Sequence, residues 1–163
     1  MGSLRRRVTT RRTRTDSGAS SVEFALVVPI FLMLVFGIMY FGFIFAQNLA
    51  LGNAARQGAR AAVIDDGTTC GSVVGIVQGA SATIGLQNTS AVSVEVRKRS
   101  GGSLVSIGCG ASTATSSTVI PCSGATVGDS IYVKATYANT MTFPFAPPKI
   151  NAGGEGEFRC EFK

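Results

Sequence analysis

The sequence predicts an α+β protein: a long N-terminal transmembrane helix, then a small extracytoplasmic domain in which one helix packs on an antiparallel sheet of three or four strands. Three observations carry this. Phe24 to Ala46 is a run of 23 residues without a charge, fifteen of them Leu, Ile, Val or Phe. Apolar residues then alternate strictly at Val92, Val94, Val96 and at Ile131, Val133, Ala135, Tyr137, the period of a half-buried strand. Finally, all four cysteines of the 163-residue chain follow the apolar run.

The chain divides into a basic leader (1–18), a long helix (19–64) containing the span at about 24–46, and a domain of residues 65–163. The formal net charge is +6, but six Arg and one Asp fall in the first eighteen residues, so the remainder is nearly neutral. This asymmetry places the N-terminus in the cytoplasm and everything after about residue 47 outside, in a single pass. The Arg cluster reads as a topogenic flank resting on anionic lipid, not as a nucleic-acid site, because no aromatic residues or binding fold accompany it. At ~1.5 Å per residue the apolar run reaches ~35 Å, enough to cross a ~30 Å hydrocarbon core. It is too long for a secretory signal peptide, whose apolar region is ~7–15 residues.

The helical pattern continues past the span to Ile64, where Asp65-Asp66-Gly67 reads as a turn, giving one helix of ~40 residues. Gly42, Ala46, Ala50, Ala54, Gly58 and Ala62 recur at every fourth position, a stripe of small residues that lets another helix approach closely. Asn53, Arg56, Gln57 and Arg60 define a polar face beside it.

In the domain, a helix is expected from Ser72 to about Leu86. Strands are expected at the two alternating segments above, at Phe158, Cys160, Phe162, and near Leu104 to Ile107. Gly128-Asp129 reads as the turn that opens the strand at Ile131. Even cysteine number in an exported part points to two disulfides among three possible pairings. Cys160 shares a face with Phe158 and Phe162 and would reach the helix opened by Cys70; Cys109 and Cys122 would then close the Ser/Thr-rich excursion between them. The expected pairs are therefore 70 with 160 and 109 with 122. Phe143-Pro144-Phe145-Ala146-Pro147-Pro148 reads as a Pro-stiffened connection or a contact surface.

With no His in the chain, most hydrolase triads, His-containing zinc sites and neutral-pH general bases are removed. No two cysteines are spaced Cys-x-x-Cys, and no cofactor, metal or catalytic residue is assigned. The protein is expected not to be an enzyme.

Glu23 at the edge of an apolar helix is energetically odd, since a carboxylate is disfavoured by up to ~3 kcal/mol at full membrane depth. One reading is local: Ser20 and Glu23 have the Ser-x-x-Glu spacing of a capping box. The other takes the basic leader, Gly18, the carboxylate five positions later and the apolar helix together. That arrangement resembles the class III signal of type IV pilins and pseudopilins, which a prepilin peptidase cuts after the Gly. The resemblance makes Gly18 and Ala19 the processing site and Ala19 the mature N-terminus. Glu23 becomes an assembly residue, whose carboxylate pairs with the α-ammonium of a neighbouring subunit.

Val22-Glu23-Phe24-Ala25-Leu26-Val27-Val28-Pro29, Phe36-Gly37-Ile38, Phe41-Gly42 and Asn53-Ala54-Ala55-Arg56-Gln57-Gly58-Ala59-Arg60 extend it. As a set they resemble the N-terminal half of TadE-like pseudopilins, minor pilins of the tight-adherence (Tad, or Flp) pilus, over roughly residues 18 to 63. One position departs from the pattern: Tyr40 stands where many relatives carry an acidic residue, so no role of a second intramembrane carboxylate carries over. The resemblance implies a structural subunit contributing to pilus biogenesis and adhesion. Its implied partners are the membrane, a prepilin peptidase, the major pilin, sister pseudopilins and an assembly platform with its cytoplasmic ATPase. The alternative is an uncleaved bitopic protein displaying a small disulfide-bonded binding domain.

Overall fold

A computed structural model describes residues 17–64, 67–82, 91–109, 118–139 and 150–161. Outside them lie the leader as far as residue 16, Asp65-Asp66, the expected helix tail at 83–86, most of the Ser/Thr-rich excursion, Phe143 to Pro148, and Phe162.

The elements run α1 (Ser17–Ile64), α2 (Cys70–Ser81), β1 (Ser93–Ser100), β2 (Ser103–Ser106), β3 (Ser130–Asn139) and β4 (Ile150–Arg159). The chain forms two compact units, Met1–Met39 and Tyr40–Lys163. In the first, α1 runs through Pro29 uninterrupted, and nearly every large apolar side chain from Val22 to Met39 is exposed. Among the described residues this is the one helix long and apolar enough to cross a membrane.

The second unit holds the rest of α1, together with α2 and a four-stranded antiparallel sheet in the order β2-β1-β3-β4. The expected α+β architecture is what the structure shows. Thr69 caps α2, its Oγ1 accepting from the Ser72 N–H at 3.2 Å, so the helix starts two residues before the expected Ser72. Gly101 and Gly102, both at positive φ, make the two-residue turn that joins β1 to β2, a conformation that β-carbons disfavour. β1 and β3 pair from Ser93↔Thr136 to Arg99↔Ser130, which puts Val94, Val96, Ile131, Val133 and Ala135 on one buried face. Leu51, Ala54, Ala55, Ala59 and Ala62 of α1 and Val73, Val74 and Val77 of α2 complete that core.

β4 departs from expectation. The strand was expected at Phe158, Cys160 and Phe162, but it spans Ile150–Arg159, and Phe158 is half-exposed near its end. The reason lies in its inward residues, Ala152, Gly154 and Gly156, which carry little or no side chain. A β-carbon on Gly154 would collide with the backbone of Leu51 and Gly52, and one on Gly156 with that of Ala55 and Arg56. Helix backbone fills the layer that apolar side chains fill elsewhere, so no apolar alternation marks the strand.

Candidate functional site

α1 carries every residue that the sequence assigned to processing or assembly. Gly18 and Ala19 lie in its first turn, and a β-carbon built on Gly18 would meet no atom. The helix begins at Ser17, ahead of Ser20, so Ser20 and Glu23 do not form a capping box: Ser20 sits inside the helix, and no acidic residue occupies the first turn. Glu23 is exposed on the helix surface.

The stripe of small residues divides. Gly42 is exposed and Ala46 half-buried, whereas Ala50, Ala54, Gly58 and Ala62 are buried within their own domain. A β-carbon at Gly58 would strike Val77 of α2, with Val73 alongside. At Gly58, then, the close approach that a small residue permits is made with this chain's own α2, and β4 comes equally close to the adjacent Leu51–Gly52 and Ala55–Arg56 backbone. Asn53, Arg56, Gln57 and Arg60 form the exposed face, as their spacing predicts.

Two polar contacts fasten the same helix to the sheet, and sequence reasoning missed both. Asn139 Nδ2, at the end of β3, donates to buried Gln47 Oε1 at 3.1 Å, and the Gly153 N–H of β4 donates to Asn48 Oδ1 at 2.8 Å. The available signal was that Gln47 and Asn48 are the first polar pair after the apolar run. Buried amides require partners, so these bonds fix which turn of α1 meets the β3–β4 end of the sheet.

The disulfides differ from expectation. Cys70 is joined to Cys109 and Cys122 to Cys160, each pair with Cα atoms 5.9 Å apart. β4 ends at Arg159, and the Cys160 N–H donates to the Asp129 carbonyl, which draws Cys160 to the start of β3 and the turn after Cys122 instead of to α2. The Cys70 N–H meanwhile donates to Val119 O, holding the head of α2 against the β2–β3 connection. Non-reducing peptide mapping is expected to recover the 70–109 and 122–160 pairs. A recovered 70–160 peptide would contradict this arrangement.

The opposite face of the sheet is charged and self-paired. Arg99 Nε lies 2.8 Å from Glu157 Oε1, Lys134 Nζ 3.5 Å from Glu155, and Arg97 pairs with Glu95. The Ser130 hydroxyl and the Arg99 guanidinium hold Glu157 below the usual carboxylate range, while burial and Glu155 push Tyr132 up to about 12. At the turn before β3, Asp129 is lowered by the Thr126 N–H and then the Ser100 hydroxyl, with Lys98 adding to the effect. A depressed folded-state pKa stabilises this turn above the unfolded carboxylate range, a contribution lost as pH falls through the folded value. Among the described residues no three His, Cys, Asp or Glu side chains gather as a metal site.

A family model described as TadE-like protein matches residues 18–60, about a quarter of the chain. The match covers Gly18, Glu23, the apolar run and the stripe as far as Gly58. No curated protein and no solved structure matches.

Proposed function

We propose that this chain, TadE-like over residues 18–60, is a minor pilin of a Tad-type pilus: a structural subunit anchored by one pass of α1. The observation that carries the reading is the coincidence of that match with the one helix, among the described residues, fit to cross a membrane. In this reading a prepilin peptidase cuts after Gly18 on the cytoplasmic face, and the disulfide-bonded domain stands outside. The partners are the membrane, the peptidase, the major pilin and sister pseudopilins, and the assembly platform; adhesion follows from incorporation.

The burial along α1 bears on how it would serve assembly in this reading. Because Ala50, Ala54, Gly58 and Ala62 are buried within the domain, the surface available to other subunits is the apolar segment before Tyr40, its exposed continuation at Phe41, Phe45 and Leu49, and the exposed Asn53, Arg56, Gln57 and Arg60. Contact between apolar helices in lipid depends on packing and polar pairing, which gives Glu23 its importance.

Intact-mass measurement of the protein from cells with and without the peptidase tests the reading. The expected mature chain begins at Ala19 in the first and keeps its leader in the second. An unprocessed chain in both would favour the uncleaved bitopic protein.

A further inference from the structure

β4 is an edge strand, since the sheet runs β2-β1-β3-β4. Two hydrogen bonds identify which of its backbone groups lie on the free edge. The Gly153 N–H leaves the sheet and donates to Asn48 Oδ1 of α1, whereas the Cys160 N–H turns back to Asp129 O at the start of β3. Successive residues of an antiparallel strand direct their backbone groups to opposite sides, so Glu155, Glu157 and Arg159 face outward with Gly153. Among the described residues, Gly153 alone of these four has a partner for its outward N–H.

α1 walls this edge on one side. Gly154 lies against Leu51–Gly52 and Gly156 against Ala55–Arg56, so β4 and α1 advance together, two strand residues for each four of helix. Asn48, Gly52, Arg56 and Arg60, every fourth residue, therefore follow β4 along its length, and the Asn48 bond shows that this stripe reaches the edge. Arg56 lines an open cleft of about 330 Å³ with Tyr132, Glu155, Gly156, Glu157 and Phe158. The ion pairs among the described residues are Arg97–Glu95, Lys98–Asp129, Arg99–Glu157 and Lys134–Glu155. They neutralise both glutamates of β4 and leave the exposed Arg56 and Arg60 without a carboxylate.

We propose that this edge takes an added strand: an extended segment of another polypeptide with carboxylates at alternate positions. Its backbone bonds to Glu155, Glu157 and Arg159 of β4, and its carboxylates pair with Arg56 and Arg60. The spacing fits, because four residues of helix rise ~6.0 Å and two of strand ~6.8 Å, which brings carboxylates at i and i+2 level with the two guanidiniums. Asn48 ends the site, since its amide already occupies the Gly153 N–H that a longer strand would need. The inference concerns the Tyr40–Lys163 unit alone and stands apart from the pilus reading.

The probe is a fluorescein-labelled peptide, Thr-Thr-Glu-Thr-Glu-Thr-Thr, titrated with full-length protein in nonionic detergent and read by anisotropy. Saturable binding is expected, weakened by salt and weakened at least about fivefold by the double variant Arg56→Ala, Arg60→Ala, whose exposed positions do not bear on folding. The isomer Thr-Thr-Thr-Glu-Glu-Thr-Thr, which puts its carboxylates on opposite sides of a strand, should bind more weakly. Glu155→Pro deletes one outward N–H and no β3–β4 bond, so it should abolish binding while Glu155→Ala retains it. Methylating the backbone nitrogens of the peptide applies the same test from the ligand side, independently of how the Pro variant folds. Binding that survives methylation, or equal binding of the two isomers, would reduce the site to a charged patch and overturn strand addition. Binding indifferent to Arg56 and Arg60 would overturn the acidic partner, and no binding by the unmodified protein would overturn the proposal whole.

Discussion

Gly154→Ala is expected to cost about 3 kcal/mol or more, a large part of the ~5–15 kcal/mol that holds a small domain together. A single methyl has this effect because its obstacle is backbone. The added carbon would overlap Gly52 and the Leu51 carbonyl carbon, which cannot rotate away as a side chain can, so α1 must lift off β4. Lifting α1 would stretch the Asn48–Gly153 and Gln47–Asn139 bonds and open the core at Leu51 and Ala55. Gly156→Ala should behave similarly, its carbon meeting the backbone of Ala55 and Arg56. Gly153→Ala is the internal control: its neighbours, Ala135 O at 3.4 Å and a Thr136 methyl at 3.6 Å, leave ordinary room, and a change of about 0.5 kcal/mol is expected. Thermal unfolding of detergent-solubilised protein would show a drop of at least about 10 °C for the 154 and 156 variants. Equal midpoints for 153 and 154 would contradict the close helix–strand contact.

Glu23→Ala is expected to leave processing after Gly18 largely intact and to abolish most incorporation into pili. Under the proposed function, the new α-ammonium at Ala19 must enter a low-dielectric bundle, where an unpaired ion costs on the order of several kcal/mol. A carboxylate on a neighbouring subunit offsets that penalty only in the correct axial register. Glu23 is exposed on its helix, so its removal should not disturb the folded unit. The measurement is the amount of subunit in sheared pili relative to mature protein in the membrane, with Glu23→Asp retaining part of the signal. Normal piliation by the Ala variant would remove the charge-pairing mechanism.

The residues that could be assigned from the chain alone share one property: their signal is local. A charge-free run of membrane length, alternation at Val92–Val96 and Ile131–Tyr137, and a Gly-Asp turn before a strand each reflect what neighbours along the chain must do to bury apolar surface. The helix stripe was visible for the same reason, and so was the Gly18–Glu23 junction.

What remained hidden depends on partners remote in sequence. β4 carries Ala-Gly-Gly-Glu-Gly where a strand pattern would carry apolar residues, because the volume above those glycines belongs to Leu51–Arg56 of α1, about a hundred residues earlier. The disulfide pairing turned on where β4 ends and which carbonyl receives the Cys160 N–H, neither of which spacing encodes. Likewise the stripe announced a close neighbour without identifying it. At Gly58 that neighbour is the chain's own α2, while β4 comes against the adjacent backbone of Leu51–Gly52 and Ala55–Arg56. The large side chains of α1 that stay exposed lie mostly before Tyr40, with Phe41, Phe45, Leu49 and Ile64 beyond it. Periodicity records that a face is to be covered, whereas the identity of the cover is a property of packing, set only when distant segments compete for the same volume.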